Sequence, residues 1–259
     1  RGRGRPPTCC VAGNPIKSEM ARIPILMYHN IAQAPAGARL RSLYVAPRRF
    51  AWQMGLLARA GYQGLSLRDA LPYLRRERSG KVVVITFDDG YRDNVDSALP
   101  ILQRWGFTAT CFVVSAALGA FNRWDAEQLR VQKPMMSLSE LEYWRDAGME
   151  IGAHTQNHVH LPALADADAE QEISGSKAEL EAQLGQEIMT FCYPYGEMGA
   201  REREMVARSG FAAAVTTRRG RAQSDADLFA LPRISVGGHH LPHVFPLQLW
   251  TGYEDRPRS

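Results

Sequence analysis

Two features of the sequence predict an α/β fold with a parallel sheet closed into a barrel. Strand-like apolar runs alternate with helical patterns along most of the chain, about eight times over, and the run Val82 to Phe87 is apolar on both faces, as a strand covered by helices must be. A third feature says where its chemistry sits. The stretch KVVVITFDDGY, Lys81 to Tyr91, ends its apolar run in Asp88 and Asp89, with Gly90 to turn the backbone away, so two carboxylates stand at a strand's carboxyl edge. With 45% hydrophobic and 22% charged residues in a chain of 259, one large domain over residues 20–259 is expected.

Residues 1–19, RGRGRPPTCCVAGNPIKSE, are Gly-, Pro- and Arg-rich without apolar periodicity, and are expected to be a disordered or non-native tail. From there Ile23 to Tyr28 reads as the first strand, with His29 at its carboxyl end. Phe50, Met54 and Leu57, flanked by Pro47 and Gly61, predict a helix over Arg48 to Ala60. A short strand follows at Tyr62 to Leu65, and Ser66 with Asp69 opens a helix running to about Glu77. After the central strand, Val95, Leu99 and Leu102 share a helical face over Arg92 to Trp105, and Thr108 to Val114 is the next strand.

Ser115 to Met136 is a long connection of the kind that borders a functional rim. Ser137 with Glu140 caps a further helix that Gly148 ends, before the strand Glu150 to Thr155. Asp166 to Leu184 is helical and stopped by Gly185, Met189 to Tyr193 a strand, Arg201 to Ser209 a helix, Phe211 to Thr217 a strand and Leu228 to Val236 a last strand. The closing LQLWTGYEDRPRS reads as a surface tail.

Charge excludes little but directs attention away from nucleic acid. Of the formal charge of +4, residues 1–19 hold +3, and the remainder balances 27 basic against 26 acidic residues, so no nucleic-acid partner is expected. Cys111 and Cys192 stand singly in apolar runs, which predicts buried thiols, not a metal-binding CxxC or a disulfide framework. No run is long and apolar enough for a transmembrane segment and no leader is visible, so a cytoplasmic location is expected, with cell-envelope association if the native start lies further upstream.

The second chemical signal is His154-Thr155-Gln156-Asn157-His158 at the end of the strand EIGAHT. Two histidines four apart share a face if the chain turns helically, and two imidazoles plus a carboxylate with open positions form a catalytic metal pattern. Thr86–Gly90 (TFDDG), His154–His158 (HTxxH) and Tyr193–Gly196 (YPYG), in this order, resemble the polysaccharide deacetylases of carbohydrate esterase family four. The opening Ile-Leu-Met-Tyr-His is similar to the poly-N-acetylglucosamine deacetylase subgroup with an N-terminal Tyr-His motif.

That resemblance implies a distorted (β/α) barrel of about seven to eight parallel strands, removal of acetyl groups from N-acetylated sugars, and one divalent metal, Zn2+ with Co2+ or Ni2+ as alternatives. It implies Asp88 as general base, Asp89, His154 and His158 as metal ligands, and the backbone N–H of Tyr195 as oxyanion donor. The family's arginine ahead of the third motif is replaced here by Phe191-Cys192, and Arg233 is the candidate substitute. His29 is the candidate general acid, facing the metal from the side opposite Asp88, with His239 and His240 as competitors; His160 receives no role. Tyr91, Trp124 and Tyr193 are candidate substrate-binding aromatics, suited to stacking on sugar rings and equally to packing. A carbohydrate substrate is thus expected. The alternatives are a hydrolase of this fold acting on a non-sugar C–N bond and a non-catalytic carbohydrate-binding protein, which an intact ligand set disfavours.

Overall fold

A computed structural model describes residues 22–124, 126, 130–223 and 226–255; the tail expected at 1–19 lies outside them. Its strands are β1 (Arg22–Ile23), β2 (Ile25–Tyr28), β3 (Gln63–Leu65), β4 (Val82–Phe87), β5 (Thr110–Val113), β6 (Glu150–Ala153), β7 (Thr190–Cys192), β8 (Ala213–Arg219), β9 (Ala222–Gln223) and β10 (Leu231–Ser235). Seven of them close a parallel ring in the order β2, β10, β8, β7, β6, β5, β4, completed where β4 pairs β2. The eighth, β3, shares one edge of β4 with β5: it pairs Val82–Val84, and β5 pairs Thr86 and Phe87. The expected barrel of seven to eight strands is the observed one, distorted at that seam.

Strand alternation divides the core in two. Val83, Ile85 and Phe87 pack outward with the surrounding helices, around the buried Phe50, Leu102 and Trp144. Val82 and Val84 face a second cluster with Ile25, Phe112, Cys192, Val215 and Leu231, closed below by Leu67, Leu71 and Leu74 of the helix Leu67–Leu74. Inside the barrel the buried Glu150 carboxylate accepts from Thr110 Oγ1 at 2.6 Å, Thr190 Oγ1 at 2.7 Å and the Arg68 N–H at 2.8 Å. Burial still raises it above the usual Glu value, outweighing these bonds.

Helix ends follow the local signals. Ser66 Oγ accepts the Asp69 N–H, and Ser137 with Glu140 forms both arms of a capping box on Leu138–Asp146. The helix Asp166–Leu184 stops at Gly185, whose φ of 63° is left-handed. Three expectations fail. Pro24 divides the first strand, so that Arg22–Ile23 leaves the ring to pair antiparallel with β9. The helix expected over Arg92 to Trp105 begins as a π-helical segment, Asn94–Ala98, and becomes α-helical at Leu99–Arg104, where Pro100 lacks the N–H that a regular ladder needs. The closing segment is no surface tail: Val244–Trp250 is a helix that buries Phe245 and Leu249, and Glu254 and Asp255 pair with Arg219 and Arg221.

Gly152 shows how tightly the interior is filled, since a Cβ there would lie 2.5 Å from the Phe112 ring and 2.8 Å from Thr190 Oγ1. Gly152→Ala should therefore cost ~1–3 kcal/mol in urea unfolding, part of it recovered by adding Phe112→Leu; an unchanged midpoint would show the layer to be loose.

Candidate functional site

Strand alternation alone would send Asp88 and Asp89 to opposite faces of the sheet. Asp88 follows Thr86 into the barrel mouth, and Asp89 leaves the strand at φ 76°, which turns its carboxylate over the same opening. The unfavourable left-handed conformation recurs at Thr155 (φ 63°), His158 (φ 56°) and Tyr195 (φ 58°), so four of the seven such non-glycine residues described belong to this site. Strain of this kind persists only where surrounding bonds over-determine the backbone.

Those bonds are visible around the HTxxH turn. Thr155 Oγ1 accepts the His158 N–H at 2.9 Å, and Glu172 Oε2, from the helix Asp166–Leu184, accepts the N–H groups of Gln156 and Asn157 at 2.9 Å each. Ser115 and Ala116 donate to the carbonyls of Thr155 and Gln156. The result places ligand atoms of Asp89, His154 and His158 within 4.8 Å of one another, all three side chains buried.

The donor set fits a divalent cation. His154 Nδ1 lies 2.7 Å from the carbonyl oxygen of Cys192, which only accepts, so Nδ1 carries the hydrogen and Nε2 presents a lone pair. That Nε2 stands 3.4 Å from Asp89 Oδ1, and His158 Nε2 stands 3.3 Å from the same oxygen. Acceptors aimed at one another need a positive charge between them, and bonds of ~2.0–2.1 Å in a tetrahedron set ligand atoms ~3.3 Å apart. A proton competes with a cation for the same place. Burial opposes ionisation of Asp89, yet the facing imidazoles hold its carboxyl well below the usual carboxylate range. Burial likewise opposes the charged form of His154, but Cys192 and Asp89 carry it well above the ordinary imidazole value, whereas burial prevails at His158 and lowers it.

Asp88 has a separate cation. Arg233, 1% exposed on β10, grips it with two parallel bonds, Nη1 to Oδ1 and Nη2 to Oδ2, both 2.7 Å. The guanidinium is itself fixed by Thr216 O at 2.8 Å, Thr86 Oγ1 at 3.1 Å and Cys192 Sγ at 3.2 Å. Burial pushes the Asp88 carboxyl up, and Arg233 outweighs it, leaving the group below its ordinary value. Arg233, the candidate substitute for the arginine absent ahead of the third motif, thus reaches Asp88 from another strand.

His29 reaches the site beside Asp88, not opposite it. Parallel register sets Tyr28 next to Phe87, so the following residues are neighbours, and His29 Nε2 lies 3.9 Å from Asp88 Oδ2. Its loop is tied down by Asn94 Nδ2, which donates to the His29 carbonyl at 2.9 Å, and by Asp93 Oδ1, which accepts from the Ile31 N–H at 2.8 Å. His240 instead lines a small cavity with Trp52 and Phe245, and its carbonyl accepts from Arg49. His239 is exposed, its ring against that of His240.

Of the aromatics, Trp124 stacks on His158 at 4.7 Å and Tyr195, 40% exposed, meets the same ring edge-on at 4.7 Å. The other face of Tyr195 is covered by His160 at 4.0 Å, and His160 Nδ1 is 2.8 Å from Glu197. Gly196 permits this turn, because a Cβ there would meet Thr217 Oγ1 at 1.9 Å. Tyr91 and Tyr193 are not sugar platforms. Tyr91 is fully buried against Val114, Ala117 and Met135, and Tyr193 continues the outward face of β7, its hydroxyl donating to Phe229 O at 3.0 Å. Glu172, Asn94, Asp93 and the Cys192 carbonyl escape sequence reasoning, since none stands in a motif.

A family model described as polysaccharide deacetylase matches residues 75–214. The provisionally named polysaccharide deacetylase YxkH of Bacillus subtilis is 31% identical over 224 residues, covering 85% of this chain and 74% of that protein. The chain belongs to the polysaccharide deacetylase family. Its relatives include the poly-beta-1,6-N-acetyl-D-glucosamine N-deacetylase of Staphylococcus aureus, 21% identical, covering 90% of this chain and 84% of that protein. The Streptococcus pyogenes deacetylase PplD, solved with acetate, superposes with a TM-score of 0.75 at 27% identity, covering 89% of this chain and 99% of that one. IcaB from Ammonifex degensii shares the fold, with a TM-score of 0.75 at 23% identity over 88% of this chain and 96% of that one. This polysaccharide deacetylase is therefore a hydrolase of non-peptide C–N bonds, in a family that generally uses a divalent metal.

Equilibrium dialysis of the purified chain should find about one divalent ion bound per molecule, as a single two-histidine, one-carboxylate site requires. Asp89→Ala and His154→Ala should each abolish that binding. Full occupancy in both variants would remove the site as drawn.

Proposed function

We propose that this polysaccharide deacetylase removes acetyl groups from glycans of the N-acetylglucosamine type, with Zn2+ held by Asp89, His154 and His158. The observation that carries the reading is the presence in one barrel mouth of two ionised carboxylates with different partners: Asp89 turned toward two imidazole nitrogens, Asp88 clamped by Arg233. The first is a ligand and the second is left to move a proton. The resemblance of the whole chain to a poly-N-acetylglucosamine deacetylase supports the sugar class.

When bound, the metal ion polarises the acetyl carbonyl and makes water a better acid. Asp88 takes the proton from the attacking water. Arg233 keeps that carboxylate ionised and fixes both its oxygens, so the base does not rotate away from the substrate. As the carbonyl carbon becomes tetrahedral, the backbone N–H of Tyr195 is the donor assigned to the developing oxyanion, in a turn fixed by Gly196 and by Thr217 Oγ1 on the Tyr195 carbonyl at 3.1 Å. His29 gives a proton to the sugar nitrogen as the C–N bond breaks, leaving acetate and an amine. Trp124 and Tyr195 wall the opening on either side of His158, where an acetamido sugar ring would lie.

Acetate release from chito-oligosaccharides and from β-1,6-linked N-acetylglucosamine oligomers tests the reading, and failure on both with metal-loaded protein would overturn the sugar assignment. Asp88→Asn should keep the metal and lose ~10²–10⁴ in rate; loss of the metal would mean that the roles of Asp88 and Asp89 are exchanged. Because Arg233 holds the Asp88 carboxyl below its ordinary value, Arg233→Lys should leave burial less opposed and move the limb that Asp88 contributes to the acidic side of the rate profile to higher pH, at constant metal content. His29→Ala should cut kcat while sparing metal content, and His240→Ala should do little; the reverse ranking would place the acid on the loop after β10.

A further inference from the structure

We propose that His160, latched to Glu197, positions the Tyr195 turn and so sets the direction of the backbone N–H assigned to the developing oxyanion. His160 stands two residues past the second histidine of HTxxH, outside the set of described residues that converge on a metal, which is Asp89, His154 and His158. Its ring serves another purpose. It lies flat on the ring of Tyr195, with centroids 4.0 Å apart and planes within 7°, while the ring of His158 meets Tyr195 edge-on at 4.7 Å. Tyr195, in the loop after β7, thus leans on two imidazoles from the loop after β6.

An exposed side chain can hold another only if its own backbone is fixed. His160 is bracketed by the buried His158 and by Leu161, 1% exposed, whose side chain enters the core and whose carbonyl accepts from Arg201 Nη2 at 2.8 Å. Arg201 Nη1 donates in addition to the Leu164 carbonyl at 3.0 Å. Since Arg201 stands on the helix Ala200–Arg208, the next element after the Tyr195 turn, these bonds tie the two loops together. The second tie is at the rim. Glu197, two residues past Tyr195, sets Oε2 2.8 Å from His160 Nδ1; the carboxylate only accepts, so Nδ1 donates, and the bond fixes the plane of the imidazole against the tyrosine.

What the latch opposes is relaxation of the backbone. Tyr195, at φ 58° and ψ 0°, occupies the left-handed region, which a residue with a Cβ keeps only where its surroundings hold it there. Within the turn the Gly196 N–H donates to Tyr193 O at 2.9 Å and the Glu197 N–H to Pro194 O at 3.2 Å, and Thr217 Oγ1 donates to the Tyr195 carbonyl. These bonds act on the main chain on either side of Tyr195, and the stack acts on its ring. Because φ sets the direction of the side chain relative to the peptide N–H, a return to negative φ would carry the ring off the His160 face or turn the N–H out of the opening. Stacking therefore resists the same rotation that would misdirect the donor. On the deacetylase reading, on which this rests, His160 and Glu197 are positioning residues that act through Tyr195.

Nitrogen-15 relaxation of the full chain reads the order of the Tyr195 amide without any turnover. That amide should be as rigid as the strands in the wild type, mobile in His160→Ala and Glu197→Ala, and rigid again in Glu197→Gln, whose amide oxygen accepts the same bond. Acetate release from chito-oligosaccharides by the metal-loaded protein supplies the second measurement. Loss of a whole oxyanion donor costs ~10²–10³ in kcat and a misdirected one less, so kcat should fall about tenfold in His160→Ala and about threefold in Glu197→Ala, and recover in Glu197→Gln. KM, metal content and unfolding midpoint should hold throughout, since both side chains are largely exposed. A Tyr195 amide equally ordered in every variant overturns the latch, as does an unchanged kcat in His160→Ala. So does a raised KM at unchanged kcat, which would make His160 a platform for sugar. Absence of acetate release from the wild type, with the amide responding as expected, would count against the deacetylase reading and leave the latch standing.

Discussion

Two adjacent carboxylates at the bottom of one opening set the terms for everything around them. Side by side and out of water, they would repel by a few kcal/mol even at an effective dielectric constant of ~20, and one would take up a proton. Both are held ionised because each has its own partners, from a different strand. Arg233 comes from β10 to Asp88, and His154 and His158 come from the end of β6 to Asp89. Closure of the ring follows from the same need, since β10 and β6 approach β4 from opposite ways round the barrel. An open sheet in the same strand order would leave β4 and β10 apart and Asp88 unpaired. Loss of one partner of a buried pair typically costs ~3–5 kcal/mol, so barrel and site stand or fall together.

Much of this is legible in the sequence where burial and local signals agree. Val82–Phe87 and Asp166–Leu184 run over the residues that their apolar pattern and capping glycines indicate. Arg233 is legible through the resemblance alone, which leaves the arginine ahead of the third motif missing and makes the arginine of Leu231-Pro232-Arg233-Ile234 the candidate substitute. What is hidden depends on direction and depth. A tyrosine beside a motif reads alike whether its ring faces a substrate or a core, and only the outward phase of β7 and the return of the chain after Gly90 bury Tyr193 and Tyr91. The last helix was hidden because Phe245 and Leu249 show too little periodicity over seven residues to announce a buried face, and its Asp and Glu pairings are long-range.

Residues that serve the site through the backbone leave the least trace. Glu172 sits on a polar helix face among other acids, and nothing in its neighbourhood distinguishes it from a solvated glutamate. Its carboxylate nevertheless takes the two N–H groups between the histidines. Cys192 acts twice, through a carbonyl that sets the tautomer of His154 and a thiol against Arg233, and neither role depends on the reactivity for which cysteines are usually noticed.

The left-handed residues explain why these backbone contacts matter. Asp89, Thr155, His158 and Tyr195 each hold a conformation that costs of the order of 1–3 kcal/mol, and relaxation of any one would swing a functional group out of the opening. Glu172 and the Thr155 hydroxyl hold the second histidine, Gly196 and Thr217 hold Tyr195, and the β2–β4 register holds the carboxylates beside His29. Each constraint comes from a different part of the ring, so strain at one residue does not relax by moving its neighbour. A site built this way is held rigid, because Asp88, His29 and the Tyr195 turn are placed by hydrogen bonds that come from several strands of the barrel.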